Sequence, residues 1–405
     1  MVRPVDHSQA LILSGGGAYG AYEVGVMTAL LTGESPATGY APLNPGIFTG
    51  TSVGAVNAAL MVAFPGADIC DVVRRLAGVW LDEIADSDRR CGNGVYRFRG
   101  NLLRYADLDC LAANPALPFN ELTQDGAFFA QDLFRRGVNF LISGGGLAER
   151  SLQFVDVSAF VDSDPLGQLL ARTIPLEGIR RSDRALRVVA TNWDTGEVKT
   201  FANADMTEEF GYAVLRGSAA IPGIFPPSYV AGDPYVDGGL VMNTPLKCAI
   251  QAGGTTLHVI YMDPDVRNMP LTRLQNTIDT LDRVFVINLA TKINEDIDTA
   301  AWINEGMEAV ERAGAGWEMS GAEARAFVRA AGQIERRMRA GGGYRKLTIH
   351  RYHPHDDLGG GILGLLNFER GRMTGLIERG FADALNHDCA ESHCILPARG
   401  PGRQF

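Results

Sequence analysis

Clusters of basic residues are what this sequence most plainly lacks. No five or six lysines and arginines stand together, and the net charge is −10. Binding to nucleic acid needs grouped cations to neutralise phosphates, so the composition argues against a nucleic-acid partner. It argues equally against a purely electrostatic hold on anionic lipid. No apolar run approaches the ~20 residues of a membrane-spanning helix. Ala10–Leu13 is too short for the apolar part of a secretory leader, and glycines follow it at once, so no leader is expected. The six cysteines (Cys70, Cys91, Cys110, Cys248, Cys389, Cys394) are scattered and suggest no disulfide framework. The expectation is a reduced, cytoplasmic chain. Fixed-period repeats and low-complexity tracts are missing too, which argues against a solenoid or a fibrous protein.

Glycine is plentiful, and its placement is informative. "SGGGAYGAYEVG" (Ser14–Gly25) follows the short apolar run Ala10–Leu13. That run reads as a buried parallel strand. Ala18–Leu31 reads as a helix, Ile47–Thr49 as a second strand and Val53–Phe64 as a second helix, closed by Pro65-Gly66. Two strand–turn–helix units in succession predict a parallel sheet covered by helices. "LRVVATNWDTGEVKTF" predicts a hairpin turning at Asp194-Thr195-Gly196. Leu257–Tyr261 reads as a strand and Glu208–Ala220 as a helix ending before Pro222. Residues 85–150 read as an insertion over the core or a lid, with a weak amphipathic helix around Phe128–Phe140. Beyond Leu274 the pattern turns helical over Gln275–Asn294, Ala300–Arg312, Gly321–Ala340 and Phe368–Leu385. Lys346–Tyr352 adds one more strand, and "GGGILG" reads as a flexible turn.

The second strand–helix turn is Gly50-Thr51-Ser52-Val53-Gly54, a G-x-S-x-G in the context that gives the motif meaning. Glycines on both flanks permit a sharp turn that lifts the Ser52 hydroxyl to the start of a helix. There the helix dipole favours developing negative charge. A bland alternative is a tight turn whose serine caps the helix. Attack by Ser52 on an acyl carbonyl creates an oxyanion, which needs fixed N–H donors. Gly15, Gly16 and Gly17 can turn their amides toward one point. Gly15, Gly17 and Gly20 also match the dinucleotide pattern G-x-G-x-x-G. The next strand, however, ends in Gly50-Thr51-Ser52 and not in the acidic residue that would hold a ribose. Asp237, ahead of Gly238-Gly239, is a candidate base; an Asp before glycine is otherwise a plain turn.

Four blocks in order resemble the patatin-like phospholipases: Gly15–Gly20, Gly50–Gly54, Ser218–Pro227 and Asp237-Gly238-Gly239. The likeness spans roughly residues 8–262, with a weaker echo in Phe368–Asn386. It implies a Ser–Asp dyad, with Ser52 as nucleophile, Asp237 as general base and Gly15, Gly16 and Gly17 as the oxyanion hole. Gly20, Gly50, Gly54, Gly238 and Gly239 complete the motifs. The implied fold is a three-layer α/β core with a mainly parallel central sheet, followed by a mostly helical extension over 263–405. The implied activity is hydrolysis of lipid carboxylic esters, by peripheral contact with membrane or micelle and with no metal or organic cofactor. Tyr19 stands where the family commonly has Arg or Lys, which leaves head-group preference open.

Two other readings remain. A Ser-His-Asp esterase would need one of His258, His350, His353 or His355. A non-enzymatic or dinucleotide-binding module would use the first glycine loop. His258 reads as a hydrogen-bonded core residue, and "HRYHPHDD" as a solvated loop and not a metal site. In the tail "HDCAESHC", His387, Cys389, His393 and Cys394 have metal-binding side chains. The adjacency of His393 and Cys394 argues against one ion, and a Cys389–Cys394 disulfide is a further alternative. Trp302, Met307 and Trp317 read as helix-packing residues. Oligomeric state is left open.

Overall fold

The computed structural model describes residues 3–87, 91–100, 108–142, 160–262, 297, 299–309, 329, 333, 346–356, 358–359 and 361–396. The expected helix Gln275–Asn294 and Trp317 lie outside the described residues, as does the expected helix Gly321–Ala340 apart from Arg329 and Gln333, which are helical. Residues 299–309 are helical, within the expected Ala300–Arg312.

Among the described residues ten strands are formed: β1 (Asp6–Leu13), β2 (Pro45–Thr51), β3 (Arg97–Phe98), β4 (Val161–Asp162), β5 (Ala185–Asn192), β6 (Val198–Ala202), β7 (Ser228–Val230), β8 (Asp233–Asp237), β9 (Thr256–Ile260) and β10 (Thr348–Tyr352). The central sheet runs β10-β9-β1-β2-β5-β8-β7, with β6 also paired to β5. Contacts from β10 across to β5 are parallel, whereas β6, β7 and β8 pair antiparallel. β3 and β4 form a separate two-stranded ribbon.

Side chains alternate across the pleat, and that alternation builds two cores. Leu11 and Leu13 face α1 (Gly20–Thr32), α2 (Val53–Val62) and α3 (Ile69–Gly78). Ala10 and Ile12 face the opposite way, toward Leu246 and Ala249 of the helix Leu246–Gln251 and toward Ile297 and Ala300. Helices therefore lie on both faces of a mostly parallel sheet, and further helices follow at the C-terminus. The hairpin between β5 and β6 is closed by Asn192, whose side-chain oxygen accepts the amides of Asp194 and Thr195, both at 3.0 Å.

Several local expectations are corrected. The weak helix around Phe128–Phe140 is the 26-residue α5 (Leu117–Ile142), preceded by α4 (Leu108–Ala113). "GGGILG" contributes to a short helix, Gly361–Leu365. "HRYHPHDD" begins inside β10, so His350 and Tyr352 are buried and only part of the stretch is a loop. Trp302 is 72% exposed and is not a packing residue, while Met307 is buried. Cys91 and Cys110 form a disulfide, their Cα atoms 5.2 Å apart, so the reading of six reduced thiols does not hold.

The last long helix, Arg370–Leu385, is capped by Glu369, whose carboxylate accepts the amides of Gly371 and Arg372, each at 2.8 Å. It crosses α1 with the two backbones in contact. A Cβ on Gly25 would run into the carbonyl of Ile377, and one on Gly380 into that of Tyr22. The Tyr22 hydroxyl donates to Asp383 Oδ2 at 2.9 Å beside this crossing. Gly25→Val should push the helices apart and cost about 3 kcal/mol in chemical denaturation. Gly375 in the same helix has open space where its Cβ would lie. Gly375→Ala should therefore raise stability, by about 1 kcal/mol or less. Equal effects from the two substitutions would contradict the close crossing.

Candidate active site

β2 ends at Thr51, which pairs with Val189 of β5. β8 ends at Asp237, which pairs with Ala190 on the other side of β5. The antiparallel course of β8 thus brings Asp237 to the level at which the chain leaves β2. Ser52 follows with φ 55° and ψ −128°, a left-handed value that L-residues avoid and that costs on the order of 1–3 kcal/mol.

Glycines permit this turn through close approach. A Cβ on Gly50 would strike the Gly54 carbonyl, and one on Gly54 would strike that of Leu13. The strained conformation is held by Ser218. The Ser52 amide donates to Ser218 Oγ at 3.0 Å, and that hydroxyl donates to the Val189 carbonyl at 2.6 Å. Ser218 lies at the end of the helix Gly211–Ser218, two residues before Ala220, whose carbonyl accepts the Asp237 amide at 2.9 Å. One short segment therefore positions both candidate residues.

The Asp237 carboxylate accepts a hydrogen bond from the Gly239 amide at 2.7 Å. Burial pushes its pKa up from 3.8 to about 7, and the neighbouring Ser52 side chain and the Gly239 amide only partly oppose this.

The three candidate glycine amides are not equivalent. Gly15 donates to the Asn243 carbonyl at 3.3 Å and to Asn243 Oδ1 at 3.1 Å, and Asn243 Nδ2 returns a bond to the Gly15 carbonyl at 3.2 Å. Its amide is thus committed, which narrows the expected donors to Gly16 and Gly17. Gly17 has φ 54°, and a Cβ there would collide with the Leu365 carbonyl. Tyr19 is buried, and its hydroxyl donates to the Gly359 carbonyl at 2.8 Å with the Arg372 guanidinium 5.4 Å from its ring centroid. Its side chain is therefore taken up by the C-terminal region.

Behind the glycine loop lies a polar group that the sequence did not single out. Trp80 Nε1 donates to Asn57 Oδ1 at 2.9 Å, and Asn57 Nδ2 donates to Glu23 Oε2 at 2.8 Å and to the Gly20 carbonyl at 3.1 Å. Burial raises the Glu23 pKa well above the usual carboxylate range. Ser218 opens one of the four blocks of resemblance, but Asn243 and this trio carry no local signature, because each acts through a partner distant in the chain.

An apolar cleft opens beside Ser52, lined by Val53, Val56, Trp80, Leu169, Phe225 and Phe368 among others. The histidines lie elsewhere. His258 Nδ1 is 3.1 Å from the Tyr352 hydroxyl in the core, and the His353 ring stacks on Tyr261. His350 Nδ1 lies 3.5 Å from Cys389 Sγ.

The buried acid carries a stability signature. Between about pH 4 and 7 the folded chain keeps a proton on Asp237 that the unfolded chain has released. Its contribution is therefore full below the unfolded pKa and is lost as pH rises through about 7. Asp237→Asn should be more stable than the parent by up to about 4 kcal/mol near pH 8 and nearly equal to it near pH 4. Denaturation at the two pH values measures the gap, and a gap that does not widen contradicts the raised pKa.

The sequence profile of the patatin-like phospholipases matches residues 11–250. No curated protein sequence matches the chain. Among solved structures, VipD from Legionella pneumophila is similar at 17% identity and a TM-score of 0.38, over 95% of this chain and 67% of that one.

Proposed function

From the premise that this chain belongs to the patatin-like phospholipase family, we propose that it is a serine lipid acyl hydrolase working through a Ser52–Asp237 dyad. The observation that carries this reading is the placement of Ser52, just after β2, level with the buried Asp237 at the end of β8 on the other side of β5, where burial pushes the carboxyl pKa up to about 7. An aspartate of ordinary pKa is a poor base at neutral pH. One near 7 is matched to taking a hydroxyl proton and returning it to a leaving alcohol.

In this mechanism Ser52 Oγ attacks the ester carbonyl as Asp237 takes its proton. The oxyanion is met by the amides of Gly16 and Gly17 and by the N-terminal end of α2. Collapse releases the alcohol, protonated by Asp237, and leaves acyl-Ser52. Asp237 then draws a proton from water as it attacks the acyl-enzyme, and gives that proton to Ser52 Oγ when the C–Oγ bond breaks and the carboxylic acid leaves. The apolar cleft takes the acyl chain, and its lining selects for lipid over a small polar ester. Contact with a lipid surface is assigned to α5, which exposes Phe119, Leu122, Leu133 and Phe134 to solvent.

A fluorophosphonate should label the protein at Ser52, located by mass mapping of the adduct. Ser52→Ala and Asp237→Asn should each lower release of fatty acid from a phospholipid or p-nitrophenyl ester by about 1,000-fold or more. Full turnover by either variant would overturn the dyad. In the wild type, kcat/KM should rise with pH and level off above about 7, because Asp237 must be ionised to act as base. A profile flat from about pH 5 to 8 would remove Asp237 from that role.

A further inference from the structure

The tail of the chain returns to the outermost strand of the sheet. Ile395 and Ile349 exchange both backbone hydrogen bonds, at 2.8 and 2.9 Å, in an antiparallel bridge on β10. That register sets Cys394 opposite His350. The Cys394 amide donates to the Cys389 carbonyl at 2.9 Å, which closes a tight turn and brings the two thiols to the same side. His387 enters from just beyond the helix Arg370–Leu385.

We propose that His350, His387, Cys389 and Cys394 bind a structural zinc ion that clamps the C-terminal segment to β10. The four ligand atoms lie within 4.8 Å of one another. His387 Nε2 is 3.5 Å from Cys389 Sγ and 3.4 Å from Cys394 Sγ, and His350 Nδ1 is 3.5 Å from Cys389 Sγ. With Zn–S of about 2.3 Å and Zn–N of about 2.0–2.1 Å, neighbouring sulfur and nitrogen ligands on a tetrahedron stand about 3.5 Å apart. The three distances match those edges. Hydrogen bonding alone would need His387 Nε2 to be shared between two thiols. A shared ion at the centre accounts for all three.

The surroundings fit as well. His387 Nδ1 lies 3.5 Å from Ser392 Oγ, a partner that holds the ring with Nε2 turned to the sulfurs. Cys394 Sγ accepts the Arg351 amide at 3.3 Å, a bond that favours a thiolate. Two soft sulfurs with two imidazoles in a closed set suit zinc, and four protein ligands leave no open position for catalysis. In the sequence, the adjacency of His393 and Cys394 argues against one ion. His393 takes no part; His350, from another element, completes the set.

The clamp would fix the end of the helix whose other contacts back α1 and the glycine loop. Wild-type full-length protein should contain one zinc per chain by plasma mass spectrometry. Metal-free protein given cobalt(II) should show thiolate-to-cobalt charge transfer and intense tetrahedral d–d bands. Chelation should lower Tm by roughly 5 °C or more. Cys389→Ser with Cys394→Ser should lose the bound zinc and the chelator sensitivity. Wild-type protein that gives no thiolate–cobalt band and melts alike with and without chelator would overturn the proposal, even if the double variant fails to fold. Recovery of a Cys389–Cys394 disulfide in non-reduced peptide maps would do the same.

Discussion

The candidate site depends on keeping Ser52 in a backbone conformation that its side chain disfavours. Nothing local to Gly50–Gly54 holds it there; the flanking glycines only permit the turn. The restraint comes from Ser218, whose hydroxyl accepts the Ser52 amide and passes its own proton to β5. The stored strain has a consequence for chemistry. It projects the hydroxyl away from the helix it precedes and toward the carboxylate across β5.

The second constraint is dryness. Asp237 is buried at the end of β8, its carboxylate accepting the Gly239 amide, and the loss of water favours its neutral form. Ionising such a group costs stability, and a sequence selected for stability alone would place an amide there. Burial raises the acid, and the apolar cleft next to Ser52 offers a lining suited to a hydrocarbon chain.

The region after Asp237 ties these parts together. Thr51 Oγ1 donates to the Met242 carbonyl at 2.9 Å, Ser14 Oγ lies 2.7 Å from Thr244 Oγ1, and Asn243 clasps Gly15 from both sides. The stretch Gly238–Pro245 thus closes over the ends of β1 and β2. It orients the first glycine loop by satisfying Gly15 and leaving the following amides unbonded among the described residues.

Local chain chemistry was enough to place the strand–turn–helix units, the Ser52 turn, the hairpin at Asn192 and the resemblance that named the family. Those features are written in neighbouring residues: short continuous apolar runs, glycines beside a serine, turn formers between two strands. Long-range pairing decided the rest. The register of β8 against β5 brought Asp237 to Ser52, and burial in the assembled core, not residue type, raised its pKa. Gly15 looked like its two neighbours until a residue 228 positions away took its amide. Cys91 found Cys110, and His350 joined His387, Cys389 and Cys394, only when separate elements met. Spacing along the chain does not encode such distances; they are set by which strand or helix each residue rides on and how those elements pack.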